Sequence, residues 1–305
     1  MWLMSPPCQP HTRQNDTKKR DLNDKRSAAL THIIDIIETI TTPPSYLLLE
    51  NVVNFESSES CKMLTRALKK RGYEFKLFNL SPTDLGIPNT RPRIFLLASR
   101  DSKSSFVLPP VLTAAKQCKE IRNCVNSAND TVDAFVVPKS TLEASGSFSF
   151  DIVTPSSSRS ACFTHSYYRY MKGTGSILLM DDDLGKKRFA GYTNSLDYMI
   201  STQNHVGVPR QGSGISNNME KKRKRGRCEE TMDEKVSRDT LSWYGPFVNK
   251  LRYFSPNEIA CILGFPSTFE FPTGVSLKKQ YALVGNSLHV SLVTELLKLF
   301  FPKVN

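Results

Sequence analysis

The sequence predicts an α/β fold in which helices cover a mostly parallel sheet. Over roughly the first hundred residues, apolar runs of strand length alternate with segments whose apolar residues recur at helical spacing. The resulting order, strand–helix–strand–helix–strand–strand, is typical of layered α/β domains and places an antiparallel pair at the end of the sheet. A chain of 305 residues is long enough for one large domain or two ordinary ones.

Each element follows from a local pattern. Strands are predicted where short apolar runs end at turn residues: Met1–Met4, Tyr46–Leu49, Glu74–Leu80 and Ile94–Ala98. Helices are predicted where apolar residues recur three or four positions apart: Asp24–Ile40, 56–71, Asn257–Leu263 and 288–301. Pro43-Pro44 ends the first helix, and Ser255-Pro256 caps and starts the third.

The middle of the chain has a different texture. It is rich in serine and only weakly periodic, with short strand-like pieces at Phe148–Val153, Ser160–Thr164 and Ser176–Leu179. Residues 203–240 combine Gly, Asn, Ser and a charge run with few large apolar residues, which predicts a disordered insertion. The chain therefore divides into a layered domain, a small mixed region, and C-terminal helices that return to the first domain: 1–100, 101–250 and 251–305.

The chain carries a net charge of +12, from 41 basic and 29 acidic residues. Such an excess favours a polyanionic partner, nucleic acid above all. The run KKRKRGR, Lys221–Arg227, supplies six of these charges and leaves +6 elsewhere. It can be interpreted as a nuclear import signal, an RNA-contacting tail or a solvated insertion. No apolar stretch approaches the ~18 residues of a membrane span, so we expect no membrane partner.

Seven cysteines are scattered along the chain without a CxxC pair. An odd, dispersed set argues against a disulfide framework and against a zinc site. We therefore expect free thiols in a reducing compartment, where any one of them could act as a nucleophile.

One thiol lies in an unusual setting. The stretch SPPCQP places Cys8 on a proline-stiffened turn after a predicted strand, where doubly wound sheets bind ligands. A second buried strand ends in Glu50, and Arg91 and Arg93 precede a third. Each group alone has an ordinary structural explanation. Together, a rigid thiol, a strand-end acid and two guanidiniums suit nucleophilic attack on an electron-poor ring near a phosphate.

The same motifs carry a family resemblance. PPCQP, ENV, RPR and, before the last helix, LVGNSL occur in the order found in the cytosine carbon-5 methyltransferases. SACFT followed by YMKGTGS resembles the tRNA-methylating branch of that family, the tRNA aspartic acid methyltransferases. The similarity covers three stretches: Met1–Ala98, Arg159–Leu179 and Leu251–Phe301. Five motifs in the family's order are far more specific than any one alone.

The resemblance implies a Rossmann-like, S-adenosylmethionine-dependent methyltransferase sheet beside a small, mixed target-recognition domain. It implies that Cys8 adds to carbon 6 of a flipped cytosine while Glu50 holds the ring and protonates N3. It gives Arg91 and Arg93 the task of holding the base carbonyl and a neighbouring phosphate. Carbon 5 then takes the methyl group of S-adenosylmethionine, and loss of its proton releases the enzyme.

Further site residues follow from the same resemblance. Asn286 and Ser287, in LVGNSL, would line the cofactor pocket, and Cys162 and Thr164, in CFT, would contact the substrate. A packed strand cysteine is an equally good explanation of Cys162. The segment HSYY that follows could stack on a nucleotide, although ordinary β-structure explains it more simply.

The sequence departs from the family at its start. The family's catalytic domain opens with a glycine-rich loop that wraps the methionine end of the cofactor. This chain begins at what corresponds to the fourth motif, with no glycine before Gly72 and no later strand–GxGxxG–helix unit. We therefore expect a chain recorded without its amino-terminal cofactor segment, in which Met1–Met4 forms an exposed sheet edge.

The leading hypothesis is a tRNA cytosine carbon-5 methyltransferase that acts as a monomer in the cytoplasm, the nucleus or both. DNA as the substrate shares all the chemistry and is the first alternative. The second alternative is a non-catalytic nucleic-acid-binding remnant that keeps the recognition region and the basic face.

The missing glycine-rich loop leads to a direct test. We expect S-adenosylmethionine to bind this polypeptide weakly, because no segment of it is built to wrap the methionine end of the cofactor. Isothermal titration calorimetry measures the affinity and the stoichiometry. Tight binding of one molecule per chain would contradict this expectation.

Overall fold

The computed structural model describes residues 1–12, 21–101, 106–114, 116–125, 132–144, 150–170, 173–189 and 245–301. Its strands are β1 (Trp2–Met4), β2 (Tyr46–Asn51), β3 (Glu74–Leu80), β4 (Arg93–Ser99), β5 (Ile152–Val153), β6 (Ile177–Leu179) and β7 (Leu251–Arg252). Its α-helices are α1 (Ala28–Thr39), α2 (Glu59–Lys70), α3 (Pro110–Thr113), α4 (Lys139–Ala144), α5 (Asp182–Phe189), α6 (Pro256–Ile262), α7 (Leu277–Gly285) and α8 (Val290–Leu297). The strands and helices predicted for the layered domain are all present.

The large sheet has the strand order β1-β2-β4-β3. β1 pairs in parallel with β2, and β4 pairs antiparallel with both β2 and β3. The predicted α/β class is confirmed, and β4 and β3 form the predicted antiparallel pair at one end of the described sheet. Of the three described pairings in this sheet, one is parallel and two are antiparallel, so the sheet is mixed. Only a 3-10 turn, Pro82–Leu85, separates β3 from β4. Because no helix carries the chain back between them, β4 must run against β3, and it enters the sheet beside β2.

Apolar side chains cover both faces of this sheet. Because neighbouring residues of a strand point to opposite faces, Leu47 and Leu49 share a core with α1 and α2, whereas Leu48 shares one with α8. The residues that α1 and α2 bury recur three or four positions apart: Leu30, Ile34, Ile37, Cys61, Leu64 and Leu68. Each large side chain so buried contributes about 1.5–3 kcal/mol. This two-sided burial fixes β2, whose last residues enter the candidate site.

A second, smaller sheet has the order β5-β6-β7, with one parallel and one antiparallel pairing. β5 and β6 lie in two of the predicted strand-like pieces, whereas the third, Ser160–Thr164, is not a strand. The core of this sheet combines aliphatic side chains with a cluster of aromatic rings. Phe163 contacts Tyr167 and Phe254, and Tyr167 contacts Tyr281, with ring centroids 5.1, 5.2 and 5.6 Å apart. Helices α6 and α7 pack into the same core, so the chain returns to the large sheet at α8.

A disulfide joins Cys124 and Cys261, whose Cα atoms lie 5.5 Å apart. This corrects the expectation that the thiols are all free. The two cysteines are 137 positions apart and meet because α6 packs against the 3-10 turn Ile121–Cys124. No spacing in the sequence reveals such a tertiary contact. The other cysteines within the described residues are free thiols: Cys8, Cys61, Cys118 and Cys162.

Two sequence features lie outside the described residues, namely the predicted insertion at 203–240 and the run Lys221–Arg227 within it. Across the part of the chain that the structure describes, no helix combines the length and the apolar character needed to cross a membrane.

A buried ion pair ties β7 to α6. The terminal nitrogens of Arg252 donate to the Glu258 carboxylate at 2.8 and 2.7 Å, and both side chains are almost fully buried. Glu258 also accepts from the backbone N–H of Ser255, whose hydroxyl accepts from the backbone N–H of Glu258 in a capping box. Removing the acid would leave a buried guanidinium without its carboxylate and weaken the start of α6.

Glu258→Ala is expected to lower the free energy of unfolding by about 3–5 kcal/mol, the cost of breaking a buried ion pair from one side. Urea unfolding of the variant and the parent chain measures this change. Glu59→Ala is the matched control, because the Glu59–Lys62 pair on α2 lies in solvent and exposed pairs contribute little. Equal effects of the two substitutions would contradict a structural role for the buried pair.

Candidate active site

The Cys8 turn, residues 5–11, carries the candidate nucleophile directly after β1. Cys8 is half-buried and precedes a short 3-10 helix, Gln9–His11, closed by a 2.9 Å hydrogen bond from His11 N to Cys8 O. Three prolines, at positions 6, 7 and 10, restrict the backbone on both sides of the thiol. The sulfur is therefore carried on a backbone with little conformational freedom.

The far end of the Cys8 turn is anchored by His11. Its buried ring meets Phe55 edge to face with ring centroids 5.1 Å apart, and its carbonyl accepts from Asn54 Nδ2 at 3.2 Å. Burial lowers the pKa of His11, against the opposing influence of Asp21 and Asp24. The lowered pKa favours the neutral imidazole, whose ring packs on Phe55 and whose Nδ1 lies 3.9 Å from Asp21 Oδ1.

The near end of the Cys8 turn is held by the carboxyl end of β2. Glu50 is buried, with 6% of its surface exposed, and its Oε2 accepts from Ser5 Oγ at 2.7 Å. The next residue, Asn51, donates from Nδ2 to the carbonyl of Pro6 at 3.3 Å. The Cys8 turn therefore leaves the sheet beside Glu50. The sequence predicted this edge of the sheet for both the thiol and the acid.

Arg93, the first residue of β4, completes the group around the acid. Its Nε lies 3.0 Å from Glu50 Oε1, and 18% of the arginine side chain is exposed. Its Nη2 lies 3.6 Å from Cys162 Sγ. The structure thus links Cys162, Arg93 and Glu50 in a chain of contacts that ends at the Cys8 turn. Their chemical roles stay predictions.

Arg91 is oriented differently from Arg93. It is buried, and its terminal nitrogens donate to four protein acceptors: Cys162 Sγ at 3.0 Å, Phe163 O at 2.9 Å, Gly285 O at 3.5 Å and Ser287 O at 2.9 Å. Burial lowers the pKa of Arg91, and Cys162 acts in the opposite direction. The guanidinium fastens β4 to two distant segments. The terminal nitrogens of Arg91 donate to protein acceptors, and the contact with a base carbonyl or a phosphate that the resemblance implies stays a prediction.

The motif LVGNSL ends α7 against the CFT segment. A Cβ on Gly285 would lie 2.2 Å from the backbone of Thr164, so only glycine allows this approach. The N–H of Thr164 donates to Thr174 O at 2.8 Å, and its hydroxyl accepts from Ser166 N at 3.4 Å. These contacts of Thr164 are internal to the protein, and its contact with a substrate stays a prediction.

The two residues predicted to meet a methyl donor lie at the end of α7. Asn286 has an exposed side chain, and Ser287 Oγ donates to Leu283 O at 2.9 Å. The exposed amide of Asn286 fits a polar contact with S-adenosylmethionine. Within the described residues, the buried polar side-chain atoms that lack a partner lie elsewhere: on Gln9, Arg71, Asn89 and Arg252. Of the two residues, Asn286 is thus the one with an exposed polar group for a donor, and its contact with the donor stays a prediction.

The tyrosines that follow CFT are structural. Tyr167 is buried, its hydroxyl donates to Ser176 O at 2.7 Å and accepts from Phe254 N at 3.0 Å, and burial raises its pKa. Tyr168 stacks on Tyr281 with ring centroids 4.9 Å apart. Tyr167 is packed inside the protein, and one face of Tyr168 is covered by Tyr281. Both tyrosines lie in a turn, so the expected β-structure is wrong for this segment, and stacking on a nucleotide stays untested.

Three polar residues of the site escaped the sequence analysis: Ser5, Asn51 and Asn89. Asn89 is fully buried, and its Nδ2 donates to Ser160 Oγ at 3.1 Å and to Ala161 O at 3.0 Å. It joins the loop before RPR to the segment before CFT. The sequence signal that could have identified these three residues is their position, because each is a polar residue within or just before one of the motifs SPPCQP, ENV and RPR.

Arg91→Met is expected to destabilise the chain strongly, because the buried carbonyls of Phe163 and Ser287 lose their donor at about 1–3 kcal/mol for each group. Urea unfolding measures the change. Arg100→Met is the matched control, since Arg100 follows β4 and is exposed. If both substitutions leave the unfolding midpoint unchanged, Arg91 does not stabilise the packing of β4 against the CFT segment and the end of α7.

Comparison with known proteins identifies the family. The family model described as C-5 cytosine-specific DNA methylase matches residues 1–301. A "tRNA (cytosine(38)-C(5))-methyltransferase" from Bos taurus is 30% identical, with 98% of this chain and 81% of the relative covered. One of the same name from Schizosaccharomyces pombe is 29% identical over 100% and 78%. A Dictyostelium discoideum relative, 29% identical over 97% and 76%, is named "DNA (cytosine-5)-methyltransferase".

Solved structures agree with these relatives. The crystal structure of the S. pombe Dnmt2 methyltransferase superposes with a TM-score of 0.69 at 28% identity, covering 100% of this chain and 78% of that one. The Entamoeba histolytica methyltransferase EhMeth gives a TM-score of 0.69 at 27% identity, covering 100% and 77%. The fold, the order of the motifs and the matched length together show that the chain belongs to the C-5 cytosine-specific DNA methylase family.

Proposed function

We propose that this chain is a tRNA cytosine carbon-5 methyltransferase with Cys8 as its nucleophile. The observation that carries the proposal is the attachment of the Cys8 turn to the end of β2, against the buried acid Glu50. When a thiol and a carboxyl group lie side by side, the sulfur can add to a carbon of a heteroaromatic ring. The carboxyl group can then stabilise the charge that this attack creates. The names of the relatives support tRNA as the substrate class.

The first step forms a bond between carbon 6 of the cytosine and the Cys8 thiolate, which has given its proton to solvent. The electron pair displaced from the 5,6 double bond would charge the ring, and a proton given to N3 by the Glu50 carboxyl group neutralises it. Carbon 5 is then nucleophilic and takes up a methyl group. Loss of the carbon-5 proton to solvent re-forms the double bond and expels the thiolate, while the N3 proton returns to Glu50.

Arg93 assists by orienting the acid. Its three contacts, to Glu50, to its neighbour Pro92 and to Cys162, leave donors over from the five that an arginine carries. These donors can hold the base carbonyl or a phosphate. S-adenosylmethionine, when bound, would supply the methyl group, and Asn286 is the described residue that fits a contact with it.

The polymer substrate follows from access and charge. Carbon 6 of a stacked cytosine is hidden, so the base must leave its stack before the thiol can reach it. The net charge of +12 favours a phosphate-rich partner. We place the enzyme where tRNA is made and used, in the nucleus or the cytoplasm, and as a monomer.

DNA is the second candidate substrate, because the Dictyostelium relative is named for DNA. The chemistry at the base is the same for both polymers. If the chain binds nucleic acid but methylates neither tRNA nor DNA, both catalytic proposals are wrong.

The assay incubates total tRNA or duplex DNA with the chain and S-adenosylmethionine labelled on its methyl group, with the donor in large excess because we expect this chain to bind it weakly. We expect label in tRNA and background in DNA, and Cys8→Ala should reduce the tRNA signal to background because no other described thiol replaces the attacking sulfur. Cys118→Ala, which removes another half-buried free thiol, should keep the signal. Label that persists in Cys8→Ala would contradict the covalent mechanism, and label in DNA alone would reassign the substrate.

A further inference from the structure

We propose that Ser5 is a positioning residue that holds the proton-carrying oxygen of Glu50. The proposal rests on the function proposed above and names a residue that this function has not yet used. Ser5 touches neither base nor donor in the scheme; it acts through Glu50. The contact that carries the proposal is the 2.7 Å hydrogen bond from Ser5 Oγ to Glu50 Oε2.

The two oxygens of Glu50 have different partners. Oε1 lies 3.0 Å from the Arg93 guanidinium, and Oε2 accepts from Ser5. A terminal carboxyl group otherwise rotates in a broad torsional well. One donor on each oxygen fixes its plane, so the acid is aimed before a base arrives.

The two partners also set where the proton resides. A guanidinium is only a donor and stays charged, so it opposes a proton on Oε1. A serine hydroxyl has one hydrogen and two lone pairs, and it can donate to a carboxylate or turn to remain in contact with a carboxylic acid. In the proposed mechanism, the proton that N3 receives is therefore delivered from Oε2, the oxygen that Ser5 holds.

Ser5 also couples the acid to the nucleophile. Strand pairing ends with Met4 opposite Leu49, so Ser5 and Glu50 are the next residues on the two strands. Between Ser5 and Cys8 the chain has only two prolines, whose fixed φ angles transmit position with little slack. One hydroxyl thus fixes the thiol and the acid relative to each other.

Hydrogen exchange at cytosine carbon 5 tests this step without a methyl donor. Once sulfur has added to carbon 6, carbon 5 can take a proton from water, lose its original hydrogen and then expel the thiolate. A tRNA with tritium at cytosine carbon 5 therefore releases tritium to water. The variants are Ser5→Ala, which removes the hydroxyl, and Ser5→Thr, which keeps it. Ser57→Ala is the control, since Ser57 is an exposed serine whose hydroxyl donates to Asn54 O.

We expect Ser5→Ala to lower the maximal rate of tritium release about tenfold or more, as loss of a hydrogen bond to an ionised group implies. The KM for tRNA and the melting temperature should stay at the parent values. Ser5→Thr should restore most of the rate, and Ser57→Ala should match the parent.

Parent rates in Ser5→Ala, or a Ser5→Thr rate as low as that of Ser5→Ala, would overturn the proposal. A loss explained by a raised KM or a lowered melting temperature would overturn it too, because it would show a merely structural role. The variant Cys8→Ala distinguishes a failure of the proposed function from a failure of the role proposed for Ser5. Tritium release that persists in Cys8→Ala, or that is absent from the parent chain, contradicts the proposed function. If the parent chain releases tritium, Cys8→Ala does not, and Ser5→Ala releases it at the parent rate, only the role of Ser5 is contradicted.

Discussion

The candidate site depends on the register between two parallel strands. β1 and β2 pair so that Ser5, the first residue after β1, lies beside Glu50, near the carboxyl end of β2. The Ser5 hydroxyl donates to the Glu50 carboxylate, and the Asn51 side-chain amide donates to the Pro6 carbonyl. These two hydrogen bonds fix the Cys8 turn against the end of β2. A slip of one residue would turn Ser5 to the opposite face and break both contacts. The large apolar cores on both sides of β2 make such a slip costly, so the core determines the chemistry at its edge.

The site is also the junction between the two sheets. Arg91 is buried among carbonyls that belong to the CFT segment and to the end of α7, and Gly285 lets those segments meet at backbone distance. A buried donor with several acceptors is rigid, because every broken contact leaves a polar group without a partner. Arg93 therefore occupies a fixed frame, with Glu50 on one side and Cys162 on the other. Of the two arginines in RPR, one builds the frame and the other faces the acid.

Local patterns were enough to predict the strands and helices of the layered domain, because alternation and helical spacing record which faces are buried. They also placed Cys8 and Glu50 at one edge, since the ends of parallel strands are readable from sequence. Arg93 joins them because β4 runs antiparallel beside β2. The inward turn of Arg91 was not readable, because its partner Gly285 is 194 positions away. The same reason hid the Cys124–Cys261 bridge and the insertion of β4 between β2 and β3. Each of these depends on tertiary packing, which no local window contains.

Covalent capture on RNA is the most direct measurement of the central claim, that Cys8 attacks a cytosine ring. In 5-azacytosine a nitrogen replaces carbon 5, so a thiol adduct at carbon 6 has no carbon-5 proton to lose and accumulates. The chain is incubated with tRNA that carries this base, and the adduct is mapped by peptide mass spectrometry. We expect the nucleotide on the peptide that contains Cys8. An adduct on Cys162 or Cys118 in its place, with Cys8 unmodified, would contradict the account.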